Sequence, residues 1–266
     1  MHVTSLGYRT DLMLRALEGS QVTDHGDHLV IRTPANPGYW WGNFLLLAQP
    51  PRPAETGRWL AAFATQFPAA DHLALGIDGT DASGLDPAGL LAAGLVAEHY
   101  TVLTATTVHD PPHPPGPAAF RQLAGDDDWR QAAALRAACQ QDEPGGAAEF
   151  IAARIAAERA LTEAGHGAWF GAFRDGLLLA QLGLIWGDGR IARYQNVETH
   201  PAARRQGLAG TLVCQAGRHG REAAGVAELV IVADPDDAAI RVYHSVGFTD
   251  TEVQTGFLRA PGVPPE

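Results

Sequence analysis

From residue 118 onward, apolar and polar positions switch between a period near two and a period near 3.6. Residues 119–123 alternate as a short strand. Asp126–Asp128 supply an N-cap for a helix over 129–141, which Pro144-Gly145-Gly146 breaks. A second helix over 147–164 places Phe150, Ile151, Ile155 and Leu161 at helical spacing. Strand-like runs at 167–174 and 177–186 flank Asp175-Gly176, a hairpin signal. A second turn at Gly187-Asp188-Gly189 leads into a strand over 190–199, so three antiparallel strands form a meander. A helix over 206–223, a buried strand over 227–233, a helix over 237–246 stopped by Gly247, and a last strand over 248–258 complete the order. This order predicts a mixed α/β arrangement around a central sheet.

The pattern before residue 109 is weaker. Strands are expected at 28–32, 42–48, 72–77 and 98–107, and helices at 54–67 and 86–94. Their order repeats that of residues 190–258, and Gly94-Leu95 matches Gly247-Phe248, as in a duplicated and eroded domain. Between the halves, residues 109–117 carry five prolines, which exclude a helix or central strand and mark a stiff connector. The expected organisation is a first domain over 1–108, a linker over 109–117 and a second domain over 118–266.

Composition narrows the classes. The 46% hydrophobic and 18% charged residues argue for a folded chain. A net charge of -11 gives no support for a nucleic-acid partner and mildly favours a cationic substrate. All 19 basic residues are Arg, which reads as the coding bias of a GC-rich, bacterial genome. Cys139 and Cys214 have no metal or redox spacing, so cytoplasmic residence is expected; no membrane or signal segment is expected.

The chemistry concentrates at one loop. Arg204, Gly207 and Ala209 follow a strand and open a helix. First-turn N–H groups and the helix dipole bind anions there, and Arg204 and Arg205 can add charge-assisted bonds. Downstream stands Tyr243-His244-Ser245-Val246-Gly247-Phe248. With Val197-Glu198-Thr199-His200-Pro201 before the loop and Arg204-Arg205-Gln206-Gly207-Leu208-Ala209 within it, residues 118–258 resemble the GNAT superfamily of N-acetyltransferases.

The resemblance, joined to the repeated element order of the first half, implies tandem GNAT-like domains of α/β (α+β) class, each a mixed, mostly antiparallel sheet flanked by helices. The first domain would be degenerate and structural, or help to shape the acceptor site. The resemblance implies acetyl-CoA as acyl donor, no metal, and an amine acceptor, either a small amine or a peptide N-terminus. Backbone groups of Val197, Glu198 and Thr199 would pair with pantetheine, and the amides of Arg205, Gln206, Gly207, Leu208, Ala209 and Gly210 would hold the pyrophosphate. Tyr243 would be the general acid. Asp236 stands where the family often has a CoA-contacting Asn. Glu198, of the same strand parity as Tyr194, is the favoured base, the alternative being a strand-edge carboxylate exposed to solvent. The alternative function is an acyl-CoA sensor without turnover; a homodimer stays open. The corresponding loop of the first half, Gln49-Pro50-Pro51-Arg52-Pro53-Ala54, lacks donors for a phosphate.

Asp24-His25-Gly26-Asp27-His28 resembles a metal cluster but is better explained as a polar turn. Tyr39-Trp40-Trp41 is read as core packing, ahead of a substrate or interface role.

Overall fold

The computed structural model describes residues 1–140, 148–187 and 190–262. The expected breaker Pro144-Gly145-Gly146 and the Asp188-Gly189 part of the second turn lie outside the described residues. The chain forms two compact units. One comprises residues 1–102, 232–235 and the described residues from 250 on; the other comprises 103–231 and 236–249. The Pro-rich segment 109–117 lies inside the second unit.

In the first unit, helix α1 (Leu6–Leu17) precedes β1 (Gln21–Asp24), β2 (His28–Arg32) and β3 (Phe44–Leu47). Helix α2 (Thr56–Gln66) leads to β4 (Leu73–Ile77), then α3 (Ala88–Ala92) and β5 (Val96–Ala105), whose residues from 103 on are counted in the second unit. Strands β1 to β3 pair antiparallel, and β3 pairs parallel with β4 after the crossover through α2. The stretch 24–28 is the β1–β2 turn. There Gly26 takes φ +87 and its N–H bonds the Asp24 carboxylate at 2.7 Å. Among the described residues no group of three or more His, Cys, Asp or Glu is placed to hold a metal. Trp41 stacks edge-on against Phe44, 5.5 Å between centroids, in the core beside α1.

The sequence pattern predicts no element where α1 stands. Its buried face includes Gly7, Thr10 and Arg15 beside Leu6, Tyr8 and Leu14, so polar and small residues interrupt the apolar stripe. The last strand, β11 (Thr249–Arg259), was expected to close the second half. It instead pairs antiparallel with β4, from Thr255↔Ile77 to Arg259↔Leu73. All five β4 residues are buried, and an open edge on such a strand would expose unpaired peptide groups.

In the second unit, β6 (Ala119–Gln122), α4 (Gly125–Cys139) and α5 (Ala148–Glu163) precede β7 (Gly167–Arg174), β8 (Leu177–Trp186) and β9 (Ile191–Thr199). Helix α6 (Leu208–Ala224), β10 (Glu228–Ala233) and α7 (Ala239–Ser245) follow. The sheet order is β10-β9-β8-β7-β6, antiparallel except for the β9–β10 pair. The expected meander is present as β7-β8-β9. Each unit thus contains antiparallel strands followed by one parallel β–α–β crossover, β3–α2–β4 in the first and β9–α6–β10 in the second.

Close packing brings α6 onto the sheet. A Cβ on Gly217 would lie 2.7 Å from the Tyr194 hydroxyl, which itself donates to the Val213 carbonyl at 2.7 Å. Among the described residues no helix is long and apolar enough to cross a membrane.

Candidate acetyl-CoA site

Two features of β9 shape the site. Its parallel register with β10 runs from Glu228↔Ile191 to Val230↔Arg193, while β9 itself continues to Thr199. Beyond Arg193 the strand therefore extends past its registered parallel pairing. The second feature is a bulge. The register with β8 shifts between Gln181↔Glu198 and Gly183↔Gln195, and Asn196 takes φ +49. An extra residue in a strand reverses the facing of all that follow it. Tyr194 and Glu198 consequently do not share a face, contrary to the sequence parity: Tyr194 reaches Val213 on α6, whereas Glu198 reaches Arg136 on α4.

The strand ends at a short 3-10 turn, Pro201–Ala203, capped by the His200 imidazole, which accepts from the Ala202 N–H at 3.2 Å. Arg205 and Gly207 then take φ +60 and +75. Gly207 is the N-cap of α6, and no side chain caps that end of the helix. No acidic residue sits in its first turn. The N–H groups of Leu208, Ala209 and Gly210 therefore have no helical acceptor and remain at the positive pole of a 17-residue helix. Arg204 and Arg205 are exposed beside them. Such an end is complementary to a pyrophosphate.

The glycine at 207 answers to more than a ligand. A Cβ there would lie 2.8 Å from the His113 carbonyl oxygen and 3.1 Å from the Pro115 nitrogen. The Pro-rich segment follows α6 back toward its start: Arg218 pairs with Asp110 at 3.0 Å, a Gly210 Cβ would meet Pro111 at 3.2 Å, and Arg174 bonds both the Pro117 carbonyl and Gln206 at 3.0 Å.

Tyr243 lies on α7, 5% exposed, with Phe248 in edge contact at 6.5 Å. Gly247 ends the helix with φ +110, which lets the Phe248 N–H return to the Tyr243 carbonyl at 3.1 Å. Burial, with the nearby Asp237 carboxylate adding to it, pushes the phenol well above its ordinary range. Asp236 is exposed just before α7.

Glu198 is engaged at both oxygens. Arg136 Nε donates to Oε1 at 3.0 Å and Gln181 Nε2 to Oε2 at 2.5 Å. Nothing in the sequence marks Arg136 and Glu158, both buried, as site residues; an Asn inside an otherwise strand-like run is the available sign of the bulge they adjoin.

The acetyltransferase (GNAT) family model matches residues 129–248, which span both the uncapped α6 end and Tyr243. Those residues are a GNAT domain. The GNAT assignment makes the protein an acyltransferase, and the family's acyl donor is acetyl-CoA. A GCN5-related N-acetyltransferase from Kribbella flavida is 17% identical, with 97% of each chain covered and a TM-score of 0.65. A tandem GNAT protein from the clavulanic acid biosynthesis pathway is 15% identical over 94% of this chain and 88% of its own, with a TM-score of 0.59. A functionally unknown conserved protein from Staphylococcus epidermidis is 11% identical over 90% and 93%, with a TM-score of 0.69. These likenesses show the tandem GNAT fold. No curated protein matches the chain in sequence.

Proposed function

We propose that the second unit transfers the acetyl group of acetyl-CoA directly to a primary amine, a small amine or a peptide N-terminus, in a ternary complex. The observation that carries this reading is the pairing of an uncapped α6 N-terminus with a β9 that continues past its register with β10. The amides of Arg205 to Gly210 would hold the pyrophosphate, with Arg204 and Arg205 adding charge. Peptide groups of Val197, Glu198 and Thr199 would orient the pantetheine arm and polarise the thioester carbonyl. Acetyl-CoA supplies the activated acyl group.

Tyr243 is assigned the proton on the departing sulfur. Its raised pKa keeps the phenol protonated, and so a donor, throughout the neutral range. Glu198 fits less well as a base, because accepting a proton would break its ion pair with Arg136. We assign it instead to holding β9. Asp236 lacks the amide donor of an Asn, so no CoA contact is assigned to it.

One acetyl-CoA per chain follows from the contrast between the units. In the first, the parallel pair stays closed to the last residue of β3, where the Asp78 N–H bonds the Leu47 carbonyl at 2.8 Å. Glu55 sits at the α2 N-terminus, ionised because its bond to Arg52 lowers its pKa to about 2. A carboxylate there repels phosphate.

The test is release of free CoA thiol with acetyl-CoA and a panel of amines. Amine-dependent release is expected. Saturable acetyl-CoA binding without release for any amine would replace transfer by binding alone.

A further inference from the structure

A strained residue in β9 and a buried ion cluster meet at one point. Asn196 is held at φ +49, a conformation that a residue with a side chain seldom adopts inside a strand. Its Nδ2 donates to Glu158 Oε1 at 2.7 Å. Glu158 is 4% exposed and receives Arg136 Nη1 at 2.8 and 3.0 Å on its two oxygens. Arg136, 3% exposed, turns its Nε to Glu198 at 3.0 Å. Gln181, the β8 register partner of Glu198, takes the remaining Glu198 oxygen and also donates to the Ala132 carbonyl of α4 at 3.1 Å. One guanidinium and one carboxylate therefore fix both neighbours of Val197, residues 196 and 198.

We propose that Arg136, Glu158 and Asn196 are positioning residues for acetyl transfer: a buried clamp that holds the β9 bulge and sets the direction of the peptide groups flanking Val197. The inference rests on reading β9 as the strand that faces the thioester.

Two carboxylates around the buried Arg136 guanidinium, with Arg154 3.9 Å from Glu158, is a costly way to fill space, since apolar side chains of similar volume stabilise a core equally well or better. Ion pairs with fixed angles do something apolar packing does not: they define one geometry. The clamp is also anchored outside β9. Arg136 sits on α4, Glu158 on α5 and Gln181 on β8, so the bulge is referenced to three other elements. Without it, relaxation of Asn196 toward extended backbone would remove the extra residue from the register and turn the Val197 peptide groups.

Asn196→Gly tests this without forcing the backbone, because Gly adopts positive φ at no steric cost while losing the amide that reaches Glu158. Asn196→Asp keeps the shape and sets a like charge against Glu158. Both are measured in the full chain for kcat and KM with an amine the wild type acetylates, for acetyl-CoA Kd by calorimetry, and for thermal midpoint. The clamp predicts that kcat falls about 10- to 100-fold, more for Asp than for Gly. Acetyl-CoA Kd should stay within about two-fold, since pyrophosphate contacts at α6 are untouched. Unchanged kcat in both variants, with a wild type that turns over, overturns the clamp alone. So does a fall in kcat matched by an equal loss of acetyl-CoA affinity or by loss of the fold. A wild type that neither binds nor cleaves acetyl-CoA overturns the functional reading, and the clamp with it.

Discussion

Ala209 is half-buried in the first turn of α6, and its peptide N–H is a usable probe of that N-terminus. Proline is tolerated in the first turn of a helix because the N–H it removes has no helical partner there. Ala209→Pro should therefore fold and lose one phosphate donor. A hydrogen bond to a charged group contributes about 1.5–3 kcal/mol, so calorimetry should show acetyl-CoA binding weakened roughly 10- to 100-fold. Gly207 is a poorer probe. Its φ of +75 and the 2.8 Å approach of the His113 carbonyl to a Cβ position mean that any side chain there strains the loop as well as the site. Tyr243→Phe should lower kcat about ten-fold or more with acetyl-CoA KM little changed. The sign of the pH effect follows from burial: a phenol whose pKa is raised stays protonated to higher pH, so kcat should show no fall through Tyr243 ionisation up to about pH 10.

At the scale of elements, α4 illustrates how a sequence cue becomes a pH dependence. Asp128 was read as part of an N-cap; it lies in the first turn, where its carboxylate takes the Arg121 guanidinium at 2.9 Å and the Ala124 N–H at 2.8 Å. The Arg121 bond, with help from the Ala124 N–H, holds its pKa below the ordinary value despite burial. A depressed carboxylate contributes stability that is present above its unfolded pKa of about 4 and is lost as pH falls through the folded one. Asp128→Asn should cost about 1–2 kcal/mol near pH 7, and the gap to wild type should close on acidification below about pH 4, read by urea unfolding. The β7-β8-β9 meander and the β9–α6–β10 succession are legible because apolar period and Gly/Pro/Asp turns agree over residues 167–233. The facing of Glu198 is not, because one αL residue at Asn196 reverses the alternation on which parity depends. Nor is the clamp: Arg136 and Glu158 look like surface residues of two helices until α4 and α5 are laid on the sheet.

For the molecule as a whole, the position of β11 is what sequence order concealed. Pairing across more than 170 residues leaves no local signal, and the strand follows α7 in the chain while belonging with β4 in the first unit. Phe257, fully buried in the core around Trp59 and Phe63, should be a main anchor of that strand. Phe257→Ala is expected to destabilise the first unit by about 3–5 kcal/mol in denaturant titration. The proposed function gives acetyl-CoA to the second of the two GNAT-like units alone. The most direct measurement is a calorimetric titration of the full chain with acetyl-CoA, wild type beside Ala209→Pro. The account predicts one acetyl-CoA per chain, with the single event weakened in the variant. Two events per chain, none, or one that Ala209→Pro leaves unaltered would contradict it.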